Sequence, residues 1–230
     1  MEDSRRAALV TGGTGRVGRA IVARLEADGF RVKAAGRSDG DLSRADGARR
    51  LVDEAVAELG RLDVVVHGAA EGFAPRPLED VTEEDWDAAL GATAKGAFFV
   101  AQAAAPHLRA AGGGLLVLIE DVASYEPWPL FAPHCAAKAA EAMLTRVLAR
   151  ALAPEVRVCG VAPGTVTLDG GPGQAERRAA ETLLGRIGSP EDVAEAVAYL
   201  VHAGFVTGAS LVVDGGRLLQ RERGTQSRGP

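Results

Sequence analysis

The chain has 230 residues, of which 47% are hydrophobic and 25% are charged, and this is enough for one sizeable α/β core. The formal net charge of -5 at pH 7 lacks the basic excess of proteins that bind nucleic acid or anionic membranes, so neither partner is expected. The first residues are polar, the two cysteines have no paired spacing, and no apolar run reaches about 18 residues. These features predict a cytoplasmic protein without a membrane span.

Short apolar runs alternate with alanine-rich helical stretches along the chain, which is typical of βαβ units. The patterns predict strands at 7–10, 31–35, 62–66, 115–119, 156–161 and 210–213. They predict helices at 17–28, 45–59, 82–108, 133–152 and 190–202. We therefore expect an α/β fold, a single-domain Rossmann-type doubly wound parallel sheet with helices on both faces.

The connection after the second predicted strand is short. Only Asp39-Gly40 separate Arg37-Ser38 from Asp41-Leu42, which leaves no room for a crossover helix before that point. The sheet is therefore expected to be shortened between strands 2 and 4. Residues 1–220 are expected to form one domain that includes a substrate crevice, and the charged, aperiodic residues 221–230 are expected to be a disordered tail.

A glycine-rich turn follows the first predicted strand and opens the first predicted helix. The segment 13–18 reads Gly-Thr-Gly-Arg-Val-Gly and matches G-x-G-x-x-G, a weak motif alone that is strengthened by this position. Glycines let a pyrophosphate lie against main-chain N–H groups at the positive end of the helix. The turn thus predicts a dinucleotide cradle, with an ordinary glycine-rich turn as the alternative.

The end of the second predicted strand indicates which dinucleotide is bound. An acid that would bind the 2′-hydroxyl of NAD is missing there, and Arg37 stands in its place, with Arg16 in the nearby glycine turn. Two guanidinium groups can hold a 2′-phosphate, so the sequence favours NADP(H) over NAD(H). The alternative is that both arginines are solvated surface residues.

With these motifs in this order, the chain resembles the short-chain dehydrogenase/reductase family over about residues 7–219. The matching pieces are Thr11 to Gly18, Asp41-Leu42, Lys138, Pro163-Gly164, Gly188 to Ala194, Phe205 to Gly208 and Val213 to Gly216. Within the family it looks most like the pteridine reductase and dihydromonapterin reductase branch, through Arg16, Arg37-Ser38 and Asp121. The resemblance implies hydride transfer between NADP(H) and a C=O or C=N bond, with a pteridine among the candidate small-molecule substrates.

The resemblance also implies which residues contact the cofactor and how the chain assembles. The implied cofactor contacts are Thr11, Gly12, Gly15, Arg16, Val17, Gly18, Arg37, Ser38, Asp41, Leu42, Ala69, Lys138, Pro163, Gly164 and Val166. The predicted helices 82–108 and 133–152 resemble the family's oligomer faces. A homodimer or homotetramer is therefore expected by analogy.

The chain departs from the family's pattern at three positions. His134 stands where the family has the tyrosine of Tyr-x-x-x-Lys, and Thr93 stands where it has a helical asparagine of the proton relay. The family's Asn-Asn-Ala-Gly is replaced by His-Gly-Ala-Ala at 67–70. These departures put the family's mechanism in question more than its cofactor, since Lys138 remains.

A histidine can act as an acid near neutral pH, so His134 is a candidate replacement for the tyrosine. A helix that begins near Pro133 places His134 and Lys138 on one face, where the lysine disfavours the imidazolium and a nearby Asp121 would favour it. The hypothesis is that Lys138 holds the ribose, His134 donates the proton and Asp121 keeps His134 charged.

Three alternatives remain open at this point. His134 could be a surface histidine of a non-catalytic NADP(H)-binding sensor or partner subunit, Tyr125 could supply the missing phenol, or the crevice could serve a lyase or isomerase. Phe73 and Trp128 lie in loops beyond strand ends and could stack on a planar substrate, or simply pack at the rim. The spacing of His, Cys and carboxylate residues does not indicate a metal site.

Overall fold

The computed structural model of this chain describes residues 5–72, 74–166 and 173–220. Phe73, one of the predicted substrate contacts, lies outside the described residues. So does the segment 221–230, which the sequence predicts to be a disordered tail.

Six strands form one sheet in which every neighbouring pair is parallel. They are β1 (Ala7–Thr11), β2 (Arg31–Ala35), β3 (Val64–His67), β4 (Gly114–Ile119), β5 (Val156–Pro163) and β6 (Ser210–Val213). Their order across the sheet is β2-β1-β3-β4-β5-β6. The predicted Rossmann-type parallel sheet is confirmed.

Seven α-helices surround the sheet within the described residues. They are α1 (Arg16–Ala27), α2 (Ala45–Leu59), α3 (Glu83–Leu90), α4 (Gly96–Ala110), α5 (Ala132–Leu152), α6 (Gln174–Ala180) and α7 (Pro190–His202). None of these helices is both long and apolar enough to cross a membrane. The helix predicted at 82–108 is two helices, because a π-helical segment at Gly91–Lys95 separates α3 from α4. Glycine at both 91 and 96 weakens the regular helix at this point.

Side chains of the central strands alternate between two separate cores, as a doubly wound sheet requires. Leu9 of β1 packs in a cluster with α2, α4 and α5. Its neighbours Ala8 and Val10 pack in a second cluster with α1 and α7. Helices therefore cover both faces of the sheet, and the central strands read as continuous apolar runs because neither face meets water.

The shortened connection predicted after β2 is confirmed. A single 3-10 turn at Arg37–Asp39 and helix α2 lead from β2 to β3, so β2 is the edge strand beside β1. β1 pairs with β2 on one side and with β3 on the other. The chain thus reverses its winding direction at β1, and the crevice at the carboxyl ends of β1 and β3 is where ligands bind in such sheets.

Candidate active site

The turn between β1 and α1 has the shape of a phosphate cradle. Gly12 has a positive φ of 69°, and a Cβ there would collide with the carbonyl of Gly68. A Cβ at Gly18 would collide with the carbonyl of Gly12. Within the described residues no side chain caps α1 at Gly15, and its first turn contains no acid. An uncapped helix start without an acid in its first turn is a suitable place for an anion to bind.

A cavity of about 590 Å³ opens at the carboxyl ends of β1, β3, β4 and β5, next to this turn. Ten of the predicted site residues line it: Thr11, Val17, Gly18, Asp121, Trp128, His134, Lys138, Pro163, Gly164 and Val166. These residues come from positions spread over more than 150 residues of the chain. The sheet therefore brings the predicted cofactor and catalytic groups to one crevice.

Other predicted residues lie outside the lining of this cavity. Gly12, Gly15 and Arg16 belong to the adjoining turn, while Arg37 is exposed and pairs with Glu71 at 2.9 Å between Nη2 and Oε1. The remaining members of this set are Ser38, Asp41, Leu42, Ala69 and Tyr125.

Three of these residues have local roles that account for their positions. Leu42 is buried in the core cluster that includes α2. Ala69 lies next to Gly12, since a Cβ at Gly12 would come within 2.9 Å of the Ala69 nitrogen. The Asp41 carboxylate accepts hydrogen bonds from the backbone and hydroxyl of Ser43, and these bonds lower the pKa of Asp41. Their contacts with a cofactor stay predictions.

His134 lies at the start of α5 on the wall of the cavity, with only 6% of its surface exposed. Its Nε2 is 3.5 Å from Oδ2 of Asp121, which follows β4. The other Asp121 oxygen accepts the backbone N–H of Ala123 at 2.8 Å, which fixes the carboxylate. The imidazole also stacks on Trp128, with ring centroids 6.2 Å apart and an angle of 12° between the planes. The structure therefore brings together the two groups that the sequence hypothesis pairs.

Lys138 lies one turn further along α5 and is buried beside His134. Its Nζ donates to the carbonyl of Ile119 at 2.6 Å and to Oε2 of Glu141 at 2.8 Å. An ammonium has three N–H donors, so one is left for a ligand in the cavity that Lys138 lines. This count is compatible with the predicted contact between Lys138 and a ribose hydroxyl.

Sequence reasoning missed Glu141, which is fully buried against Lys138. Burial raises the pKa of this carboxyl to about 7, and the adjacent Lys138 ammonium opposes the rise. Its second oxygen, Oε1, is buried without a hydrogen-bond partner in the described structure. The available signal was a lone acid three residues after Lys138 in an alanine-rich helix.

Glu120 is a second buried acid that sequence reasoning missed. Its carboxylate accepts hydrogen bonds from Thr145 at 2.6 Å, Ser210 at 2.9 Å and Tyr125 at 3.4 Å. The Tyr125 hydroxyl is thus bonded to Glu120, and Tyr125 does not line the cavity. The structure does not bring this phenol to the position of His134.

The two remaining departures from the family pattern, at His67 and Thr93, are buried. His67 is fully buried, with Nδ1 at 3.0 Å from the Thr11 hydroxyl and Nε2 at 3.2 Å from the carbonyl of Ala92. Burial, with a contribution from the Lys138 charge, lowers the pKa of His67 to about 4. Thr93 is buried in the π-helical segment. His67 is therefore a neutral residue whose two ring nitrogens have polar partners.

The lining of the cavity also includes an arginine that lies over an aromatic ring. The Arg217 guanidinium lies 5.3 Å from the centroid of Trp128 and pairs with Glu126 at 3.0 Å and Glu181 at 3.2 Å. The Trp128 Nε1 is buried without a hydrogen-bond partner among the described residues. Over residues 5–72, 74–166 and 173–220, no group of His, Cys, Asp and Glu side chains is arranged to hold a metal ion.

Comparisons with known proteins agree with this geometry. A family model described as enoyl-(acyl carrier protein) reductase matches residues 8–217. Ketoacyl reductase 2 of the granaticin polyketide synthase of Streptomyces violaceoruber is 37% identical over 91% of this chain and 94% of its own length. Human dehydrogenase/reductase SDR family member 4 is 32% identical over 93% of this chain and 87% of its own length.

The fold is also that of a solved dehydrogenase. Ligand-free aldohexose dehydrogenase of Thermoplasma acidophilum matches with a TM-score of 0.90 over 97% of this chain and 98% of its own, at 24% identity. Fold, crevice and relatives together define an oxidoreductase of the class that uses a nicotinamide cofactor. The chain belongs to the short-chain dehydrogenase/reductase family, as its sequence predicted.

Proposed function

We propose that this protein is an NADP(H)-dependent reductase that acts on a C=O or C=N bond and uses His134 as its proton donor. The observation that carries the proposal is the meeting of His134, Asp121 and Lys138 on the wall of one cavity beside the glycine cradle. Bound NADPH would supply the hydride. The chain's own residues then have to bind the cofactor, orient the substrate and deliver a proton.

Several residues fit a dinucleotide. The uncapped start of α1 suits a pyrophosphate, and glycine at 12 and 18 lets the turn pack tightly against Gly68 and against the start of the helix. Lys138 has one N–H donor left for a ribose hydroxyl. The cavity extends from this turn to Trp128, so a nicotinamide and a small substrate can share it.

Preference for NADP(H) is supported by the edge of the sheet. Arg37 is exposed there, and an exposed ion pair such as Arg37–Glu71 is worth little, so a 2′-phosphate can displace Glu71 at small cost. Asp39, the nearby acid, accepts the backbone N–H of Gly36 at 2.8 Å and is held in its own turn. Arg16 is the first residue of α1, beside the glycine turn, and we assign the second contact with this phosphate to it.

The proton is assigned to the His134 imidazolium. The Asp121 carboxylate, 3.5 Å from Nε2 of His134, can stabilise the imidazolium electrostatically. When hydride reaches the carbon of the C=O or C=N bond, negative charge develops on the oxygen or nitrogen of that bond. This atom takes the proton from the His134 ring. Neutral His134 then recovers a proton from solvent.

The substrate we favour is flat, with a pteridine as the first candidate. Trp128, Leu130 and Phe131 give the cavity wall beside His134 an aromatic and apolar surface. Such a surface suits a flat heteroaromatic ring. In this proposal the protein works in the reducing cytoplasm, which fits the free thiols of Cys135 and Cys159.

The test has two stages. NADPH and NADH are titrated by fluorescence, and we expect NADPH to bind more tightly, with Arg37→Ala removing most of the difference. Oxidation of NADPH is then followed at 340 nm with dihydropteridines, quinones and small ketones. Binding without turnover on this panel would favour a non-catalytic sensor or partner subunit, and failure to bind either nucleotide would remove the proposal.

A further inference from the structure

The ion pair between Lys138 and Glu141 is buried in the floor of the site. The side chains of Lys138 and Glu141 are 6% and 0% exposed, and the distance between Nζ and Oε2 is 2.8 Å. Burial of an unpaired carboxylate costs several kcal/mol. The Lys138 ammonium therefore stabilises the buried Glu141 carboxylate. The question is what this carboxylate does for the chemistry beside it.

A histidine acid and a phenol acid require opposite charges around them. A phenol becomes an anion when it gives up its proton, so a neighbouring ammonium helps the transfer. An imidazolium is a cation before transfer and neutral afterwards, so the same ammonium destabilises the form that donates. A site that uses His134 one turn from Lys138 therefore needs negative charge close to the lysine.

We propose that Glu141 is a positioning residue that offsets the Lys138 charge and so allows His134 to be protonated beside it. This inference rests on the proposed role of His134 as the proton donor. Asp121 contributes directly at 3.5 Å, whereas Glu141 acts through the lysine. Ionisation of Glu141 and protonation of His134 favour each other by linkage.

The other charged groups around the pair are accounted for. Asp121 and Glu120 come from the end of β4, and each interacts unfavourably with an ionised Glu141. The Glu120 carboxylate is held by hydroxyls of Thr145 and Ser210 rather than by the lysine. His67 of β3 is neutral above about pH 4. Glu141 therefore forms its ion pair with Lys138.

The experiment measures the protonation of His134 in the free protein, without cofactor or turnover. Histidine is labelled with ¹⁵N, the His134 signal is assigned with His134→Gln, and the imidazolium fraction is read from the ring shifts at pH 7. We expect Glu141→Gln to lower this fraction by about twofold or more, because the lysine charge is then uncompensated. Lys138→Met/Glu141→Gln removes both charges of the pair and should keep the fraction close to the native value.

Glu120→Gln is the matched control, because it removes an equally buried carboxylate that is bonded to hydroxyls instead of Lys138. We expect a smaller change for it than for Glu141→Gln. If Glu141→Gln does not fold, as judged by circular dichroism, the double variant is compared with the native protein, because removal of both charges leaves the fraction unchanged only if Glu141 offsets Lys138. A clearly higher His134 fraction in the double variant than in the native protein, or equal changes in both carboxylate variants, would overturn the inference.

The two proposals fail in different ways. If the imidazolium fraction responds as expected but no substrate is turned over, the proposed reaction is wrong and the charge relation stands. If turnover occurs while the His134 fraction ignores Glu141, the reaction stands and the inference is wrong.

Discussion

A histidine at position 134, where the family has a tyrosine, changes the charge that the proton donor needs around it. The ring is held between Trp128 and Asp121, and Lys138 lies one turn away on the same helix. A cationic acid in this position is stabilised by carboxylates, and two of them are present, at Asp121 and at Glu141. The residues around His134 are therefore consistent with an imidazolium donor.

Asp121→Asn tests the direct partner of His134. The amide oxygen can still accept the Ala123 N–H, so the local turn should persist, but the charge that favours the imidazolium is lost. Above pH 7 we expect kcat/KM for NADPH-dependent reduction to fall about tenfold, a part of the roughly 10²–10⁴-fold that a general acid contributes. The loss should shrink as the pH is lowered, and a loss that is constant with pH would contradict a charge effect.

His67 predicts a pH dependence of stability. Its pKa is near 4 in the folded chain and about 6.5 when unfolded, so the unfolded state binds the proton first as the pH falls. The stabilisation from a neutral His67 is complete above pH 6.5 and is lost towards pH 4. Between pH 7.5 and pH 5 we expect a loss of roughly 2 kcal/mol in the urea-derived free energy of unfolding.

His67→Gln provides the comparison, because the amide can occupy a similar volume and cannot be protonated. The difference between native and variant stabilities should shrink as the pH falls from 7.5 to 5. A difference that is independent of pH would mean that His67 does not stay neutral in the folded protein.

At the scale of elements, the turn from β1 to α1 is built by backbone contacts that only glycine permits. Gly18→Ala places a methyl group against the carbonyl of Gly12, so we expect a loss of about 1–3 kcal/mol in unfolding free energy and weaker NADPH binding. Gly204→Ala is the control, since a Cβ there meets nothing within 4 Å. Thermal melts and NADPH titration of both variants measure the effect, and equal behaviour would argue against the cradle.

Much of the fold follows from local patterns, and the exceptions have physical causes. The bounds of β2, α2, α7 and β6 match the sequence expectation. Gly36 follows β2, Gly60 follows α2, and Ser189 with Pro190 opens α7, so local signals mark these ends. The break at Gly91–Lys95 was missed, because Trp86 to Leu108 keeps an apolar pattern that a helix could follow. A local pattern does not show which turn adopts π-helical hydrogen bonding.

The candidate site was predictable where spacing or resemblance carried it, as for His134, Lys138 and Asp121. Glu120 and Glu141 were not predictable in the same way, because their importance lies in burial. The partners of Glu120 include Ser210, 90 residues away, and Glu141 differs from a solvated helix acid only through the packing of α5 on the sheet. Sequence periodicity gives the face of a helix but does not give the depth of a carboxylate below the surface.

At the scale of the whole molecule, exposed apolar side chains mark two faces. Met143 and Val147, 54% and 50% exposed, lie four residues apart on α5. Leu211 and Val212 are exposed at the sheet edge that β6 forms, which we take as the second face, and Phe205 is nearby in the sequence. Exposed apolar groups in clusters favour association, so we propose a homodimer through one face or a homotetramer through both.

Val147→Glu tests this assembly. A buried unpaired carboxylate at a subunit contact is costly, so we expect the variant to sediment as a smaller species than the native protein in analytical ultracentrifugation. Leu78→Glu is the control, because Leu78 is 75% exposed and lies outside both faces. A native protein that sediments as a monomer at all concentrations would contradict the proposed assembly.

The account depends most on His134 as the proton donor, and the pH dependence of reduction tests this most directly. At saturating NADPH, kcat/KM of the native protein should fall as the pH rises through the titration of a histidine, since only the imidazolium donates. His134→Tyr should keep activity at higher pH, because a phenol beside Lys138 stays protonated there. A native rate that does not change with pH across this range would contradict the assignment.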